Sequence, residues 1–205
     1  MGSGPRLPRE YALTRALRLL EALDGRAVLC GSLRRGRDEV GDIDLVLSGV
    51  SLSEALSRVA ALGVPVPARP PAAAESRGPR TGFHVPTWGI GVDLWEPDPV
   101  GGLGACVLHA TGSGPHNTLM RRWARVVHGR SLTWSGVVDL ATGARLAPPG
   151  DPASEDSTRA LVPGWPLLPP EERELDPFDP PAWLRPLLAE MNEREARRSP
   201  ASSEE

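Results

Sequence analysis

Asp42 and Asp44 flank Ile43 at the head of an apolar run, Ile43 to Leu47, that reads as a buried strand. Strand alternation sets both carboxylates on one face and turns Ile43 into the core. Two acids so placed repel each other unless a cation lies between them. Asp93, in Gly-Val-Asp-Leu-Trp, is a third acid inside an apolar extended segment. Carboxylates on neighbouring strands make a hard-oxygen site suited to magnesium, which keeps waters and bridges substrate phosphates. Asp-x-Asp alone reads better as a solvated strand edge, since such pairs are common. The Gly31-Ser32 turn changes that balance, because its backbone N–H groups and the Ser32 hydroxyl can approach a phosphate. Arg34 and Arg35 follow at once and offer guanidinium forks to a triphosphate. Acids and turn together favour a nucleotide–metal site.

The elements that must hold these groups are legible in outline. The spacing predicts a helix from about Pro8 to Leu23, with Leu13, Leu17, Leu20 and Leu23 as its apolar stripe and Gly25 as its stop. Ala27 to Cys30 is a short buried strand that delivers the Gly31-Ser32 turn. Ser51 and Glu54 form the capping box of a second helix that ends at Gly63. Pro65 to Pro79 reads as an exposed, mobile loop, and Thr81 to Val85 and Trp88 to Trp95 as extended segments. After a turn region, Cys106 to Ala110 reads as a short strand, and Ser113 with Pro115 opens a helix to about His128, closed by Gly129. Short strands follow Leu132, then a small helix over Glu155 to Leu161 and a proline-dense irregular stretch from Pro163 to Pro181. Trp183 to Arg198 reads as a last helix before a disordered Ser/Glu tail.

Composition narrows the function classes. The chain has 205 residues, enough for one domain or two small ones, and a formal net charge of -3. All 23 basic residues are arginine. With no lysine amine, lysine Schiff-base chemistry is excluded. The charge balance argues against a protein coated to grip long duplexes, so any nucleic-acid contact must come from local arginine clusters. Cys30 and Cys106 are too few for a disulfide framework or a thiolate zinc site, which fits a reducing, cytoplasmic setting. No apolar run approaches the length of a membrane span. The six tryptophans are dispersed among apolar neighbours and read as core fillers more than base-stacking platforms.

Gly31-Ser32, followed after a basic stretch by Gly41-Asp42-Ile43-Asp44, resembles the signature of the nucleotidyltransferase superfamily. More narrowly, Cys30 to Gly36 (CGSLRRG) resembles the corresponding run of the family X DNA polymerases, the polymerase beta group. Thr111-Gly112-Ser113 with Asn117 and Arg121 resembles that family's thumb-entry motif, Arg6 to Glu10 the segment before its palm, and Leu168 to Glu174 a closing motif of bacterial members. The likeness covers about residues 5 to 175.

The resemblance implies an α+β fold: a nucleotidyltransferase palm, with a mixed β-sheet and helices on one side, then a small α+β thumb-like domain. It places a short helical segment at 1–24, the palm at 25–112, the thumb at 113–188 and a flexible tail at 189–205. It implies two Mg²⁺ ions, replaceable by Mn²⁺, with Asp42 and Asp44 binding both and Asp93 joining the catalytic one as proton acceptor. Gly31, Ser32, Arg35 and Gly41, helped by Arg6, would hold the triphosphate. Gly112 would lie at the nucleotide in a cis Gly112–Ser113 bond, Asn117 would face the incoming base and Arg121 the template. The expected activity is template-directed extension of a primer 3′-hydroxyl on gapped DNA in repair, by a monomer, near the nucleoid if bacterial. Departures from the family pattern are the missing lyase and helix-hairpin-helix modules, the absence of a phosphatase-like metal domain, His109-Ala110 in place of two aromatics, and Gly114 and Thr118 beside the nascent pair. These suggest no lyase or nuclease step, and weak sugar discrimination and fidelity. The Gly31 to Asp44 signature would equally serve transfer to a small molecule, tRNA or protein, and a non-catalytic nucleotide- or DNA-end-binding module is a further alternative.

Overall fold

A computed structural model of the chain describes residues 6–67, 80–100, 102–176 and 178–198. The first half runs β1 (Leu7–Pro8), α1 (Arg9–Ala22), β2 (Ala27–Leu29), the single turn α2 (Gly31–Arg34), β3 (Glu39–Val40), β4 (Asp42–Leu47), α3 (Leu52–Ala60), β5 (Arg80–Val85) and β6 (Ile90–Trp95). The second half runs α4 (Leu103–Thr111), α5 (Gly114–His128), β7 (Arg130–Thr133), β8 (Gly136–Asp139), β9 (Arg145–Leu146), α6 (Glu155–Arg159), a 3₁₀ turn (Pro170–Glu172) and α7 (Leu184–Arg198). The fold is α+β with a mixed central sheet. Residues 68–79 of the expected loop, and the tail from 199, lie outside the described residues. Among the described residues, no helix is long and apolar enough to cross a membrane.

The central sheet has the order β2-β4-β6-β5. β4 runs antiparallel to β2 and parallel to β6, and β5 and β6 form an antiparallel hairpin. Alternation divides its faces. Ile43, Leu45 and Leu47 of β4 and Ile90, Val92 and Leu94 of β6 share a core with Ala12, Ala16 and Leu19 of α1 and Leu56 and Val59 of α3. Val46 points the other way, into a cluster with Cys30 and with Cys106, Val107 and Ala110 of α4. Helices therefore pack on both faces, not on one as expected. The face opposite α1 and α3 carries the acids, and α4 covers part of it.

Two sequence expectations are corrected. Cys106 to Ala110 is helix, within α4: this short run is apolar all round because α4 is buried all round, and such a run carries no period that separates strand from helix. In α1 the buried stripe is Ala12, Ala16, Leu19 and Leu23, while Leu17 is exposed. Alanine lets the helix lie close to the sheet, and α1 packs within the first core. α7 matches the last helix expected over Trp183 to Arg198, and its Met191 is buried in one core with Met120 and Trp123 of α5.

Other signals match. Ser51 accepts from the Glu54 amide at 3.2 Å, although the Glu54 carboxylate turns to Arg26 and Arg58 instead of closing a capping box. Ser113 caps α5, and Gly129 ends it in the left-handed conformation that glycine permits. Trp88, Trp123 and Trp165 are buried. Leu108 of α4 enters the second core, with Val137, Trp165 and Leu184, so α4 joins the two halves.

Candidate active site

The parallel pairing of β4 with β6 sets Asp44 directly across from Asp93 and Asp42 across from Gly91. All three acids thus stand on one face, two of them side by side on adjacent strands. Glycines make room for them. A Cβ on Gly31, whose φ is +63°, would lie 2.0 Å from Asp44 Oδ2, and one on Gly82, the β5 partner of Asp93, 2.4 Å from Asp93 Oδ1. The backbone of the Gly31-Ser32 turn therefore rests on the Asp44 carboxylate, and only glycine allows that approach.

Burial, then the neighbouring charges of Asp42 and Asp93, push the Asp44 carboxyl up to about 7. The Trp95 indole donates to Asp44 Oδ1 at 3.1 Å and opposes the rise. Asp93 is also raised, first by burial, with Arg80 opposing and Asp42 adding. Arg80 donates to Asp93 Oδ2 at 2.8 Å and lies 5.6 Å above the Trp95 ring. Three acids share one guanidinium here, so the cluster lacks positive charge. Its donors are hard oxygens, and that chemistry fits a divalent cation. Their side chains are not drawn around one point: among the described residues, no three Asp, Glu, His or Cys groups are gathered as an ion would hold them. The Asp93–Arg80 and Asp44–Trp95 bonds turn two of the carboxylates toward other partners.

On the side of the turn, the Ser32 hydroxyl oxygen is buried at the start of α2 without a hydrogen-bond partner among the described residues, a polar group beside the acids. Arg35 is engaged: its Nε donates to Glu174 at 2.6 Å and its Nη1 to the Thr111 carbonyl. Arg34 bonds Thr111 Oγ1 at 2.6 Å and also Glu155. Gly112 lies against Arg35, where an added Cβ would meet Nη1 at 2.9 Å, and the Gly112–Ser113 bond is cis, as expected. A Cβ on Gly41 would meet nothing within 4 Å. Arg6 is exposed, reaching the Glu39 carbonyl at 3.4 Å, and the β1–β3 register brings it alongside Gly41.

Asn117 and Arg121 face inward. Asn117 Nδ2 donates to the His109 carbonyl at 2.8 Å, closing the end of α4, and its Oδ1 is buried without a partner among the described residues. Arg121 bonds the His109 ring, which meets Trp95 edge-on at 5.3 Å. Burial, then Arg121 and Arg80, push the His109 ring down to about 4, so it is neutral at physiological pH. A chain of contacts thus runs from α5 through His109 and Trp95 to Asp44.

Sequence reasoning missed Arg80, Trp95, Glu155 and Glu174 as partners of the site. A signal existed for the first two: counting by two from Gly82 and Asp93 places Arg80 and Trp95 on the carboxylate face. Glu155 and Glu174 carry no local signal. Comparison of the chain with family models and with curated proteins gives no match in either.

Proposed function

We propose that the chain is a nucleotidyltransferase of the minimal family X DNA polymerase type, extending a primer 3′-hydroxyl with nucleoside triphosphates on gapped DNA. The observation that carries this reading is the alignment of Asp42, Asp44 and Asp93 on one sheet face against a glycine-serine turn. The sheet half serves as palm and the half from α5 as thumb. Asp42 and Asp44 would hold two magnesium ions, and Asp93 one of them. When bound, these ions supply the positive charge that the acids lack and that an in-line phosphoryl transfer needs. Asp93, held above the ordinary carboxylate range by burial, accepts the proton of the 3′-hydroxyl. Ser32 donates its free hydroxyl to a phosphate oxygen, beside the N–H groups that open α2. Arg35, which the lack of a side chain on Gly112 lets approach closely, adds its fork when it exchanges Glu174 for the triphosphate, and Arg6 approaches from the Gly41 side.

Primer extension on a short-gapped template with Mg²⁺ or Mn²⁺ tests this. The native chain is expected to extend, and Asp93→Ala to lose extension while retaining nucleotide binding. Equal extension by both would refute it. The engagement of Asn117 and Arg121 with His109 favours one other reading, transfer of a nucleotide to an acceptor other than DNA. Pyrophosphate release that depends on Asp93 but not on a primer selects that reading.

A further inference from the structure

A cavity of about 580 Å³ opens between α2, α6 and the segment around Leu168, and none of Asp42, Asp44, Asp93 or Ser32 lines it. Its charged lining is three guanidiniums, Arg34, Arg159 and Arg173, against two carboxylates, Glu155 and Asp156. Burial makes the imbalance larger than this count. Arg159 and Arg173 are 5% and 1% exposed, whereas the Asp156 side chain, which pairs with Arg159, is 65% exposed and shares its charge with water. Glu155, 9% exposed, is divided between Arg34 and Arg173. Both buried arginines lean on one acceptor, the Leu168 carbonyl, at 3.4 and 2.9 Å. Even so, among the described residues Arg159 Nε and Arg173 Nη1 are buried with no partner. Buried donors are nearly always satisfied, and a solvated Asp156 on Arg159 and a Glu155 split between two guanidiniums offset the buried charge only in part. Burial pushes the Arg173 guanidinium down; Glu155 opposes this, and Arg159 and Arg34 add to it, as expected of crowded like charges.

We propose that this cavity is a second binding site, for an oxyanion group, phosphate or carboxylate, carried on a small apolar body. The half-buried Arg34 keeps Thr111 and Glu155 on its Nη1 and presents the rest of its guanidinium to the cavity, while the orphan N–H groups of Arg159 and Arg173 lie behind the wall and act through charge and bridging water. Val28, Val107 and Leu168 form the apolar side. The site shares no residue with the acid trio and stands whether or not the chain transfers nucleotides.

The test is thermal denaturation of the full chain in EDTA, in phosphate, acetate or chloride at matched ionic strength. Phosphate at ten times its Kd is expected to raise Tm by about 3–6 °C over chloride, a shift kept in Ser32→Ala and lost in Arg159→Gln. A larger shift with acetate assigns a carboxylate source, and a larger shift with phosphate a phosphate one. Ala153→Glu, which brings a carboxylate to the cavity rim, is expected to raise Tm in chloride and blunt the anion effect. No shift beyond chloride overturns the proposal. So does loss of the shift in Ser32→Ala, which would put the anion in the turn beside the acids, or its persistence in Arg159→Gln. If Arg159→Gln does not fold, ³¹P line broadening decides: broadening by the native chain that Ala153→Glu removes supports the site, and broadening that persists overturns it.

Discussion

Asp44→Asn in the metal-free chain should stabilise it, by an amount that depends on pH in a defined direction. The Asp44 carboxyl ordinarily titrates at 3.8 and is pushed up to about 7 in the folded chain, by burial and then by Asp42 and Asp93. The folded state therefore binds more protons than the unfolded state between those two values. By linkage, stability falls as pH rises through that window. A shift of roughly three units corresponds to about 4 kcal/mol of stability, fully present below about pH 4 and fully lost above about pH 7. Asn cannot ionise, and its Oδ1 still accepts from Trp95, so the variant avoids the loss without leaving the indole unpaired. Urea denaturation in EDTA at pH 4.5, 6 and 8 measures this. Asp44→Asn should exceed the native chain by several kcal/mol at pH 8, with the gap closing toward pH 4.5. Because the three acids are coupled, Asp93 takes up part of the titration, and the midpoint belongs to the cluster. Mn²⁺ should then stabilise the native chain at pH 8 and leave Asp44→Asn little changed. A gap that does not vary with pH, or a variant less stable at pH 8, would refute the account of an acid cluster short of positive charge.

Two further substitutions separate the turn from the ion-pair network. Gly31→Ala combines a left-handed backbone, which disfavours a Cβ by about 1–2 kcal/mol, with a methyl placed 2.0 Å from Asp44 Oδ2. Calorimetry should show Mn²⁺ affinity falling more than about tenfold, beyond what a modest stability loss explains; retained affinity would show that the turn does not hold Asp44. Glu155→Gln leaves Arg34 and Arg173 without their shared anion and should cost about 3–5 kcal/mol in urea denaturation, as removal of one partner from a buried pair does. A loss under about 1 kcal/mol would mean that the network is solvated.

The acid half of the site was legible because its geometry is local. Alternation in Asp42 to Leu47 and in Ile90 to Trp95 sets which side chains share a face, and a parallel neighbour then brings Asp93 to Asp44. Helix ends were legible for the same reason: Ser51, Ser113 and Gly129 act on the backbone within four residues of themselves. What failed was anything decided by burial on all sides. α4 is apolar around its whole circumference, so its pattern has no period to read, and α1 buries alanines where leucines were expected because the sheet approaches it closely. The helices on both faces of the sheet follow from that one misread element: with α4 taken as a strand, the second layer had no helix to form it.

The cationic half is tertiary, and that decides how the two adjacent arginines differ. Arg34 and Arg35 follow Ser32 in sequence, yet their partners lie 121 and 139 residues further on, in Glu155 and Glu174. Both bridge to Thr111 at the end of α4, and Ser113 donates to the Arg173 carbonyl, so the segment ending at Glu174 is tied to the back of the Gly31-Ser32 turn. An anion that binds in a carboxylate's place has to displace it from whichever guanidinium it takes. Glu155 is 9% exposed and would leave its charge in a dry site, alongside an Arg173 it no longer offsets. Glu174 is 34% exposed and regains hydration as it lets go. The desolvation difference favours exchange at Arg35 and retention at Arg34. Of two chemically identical neighbours, one is thereby committed to holding the halves together and the other is left able to change partners.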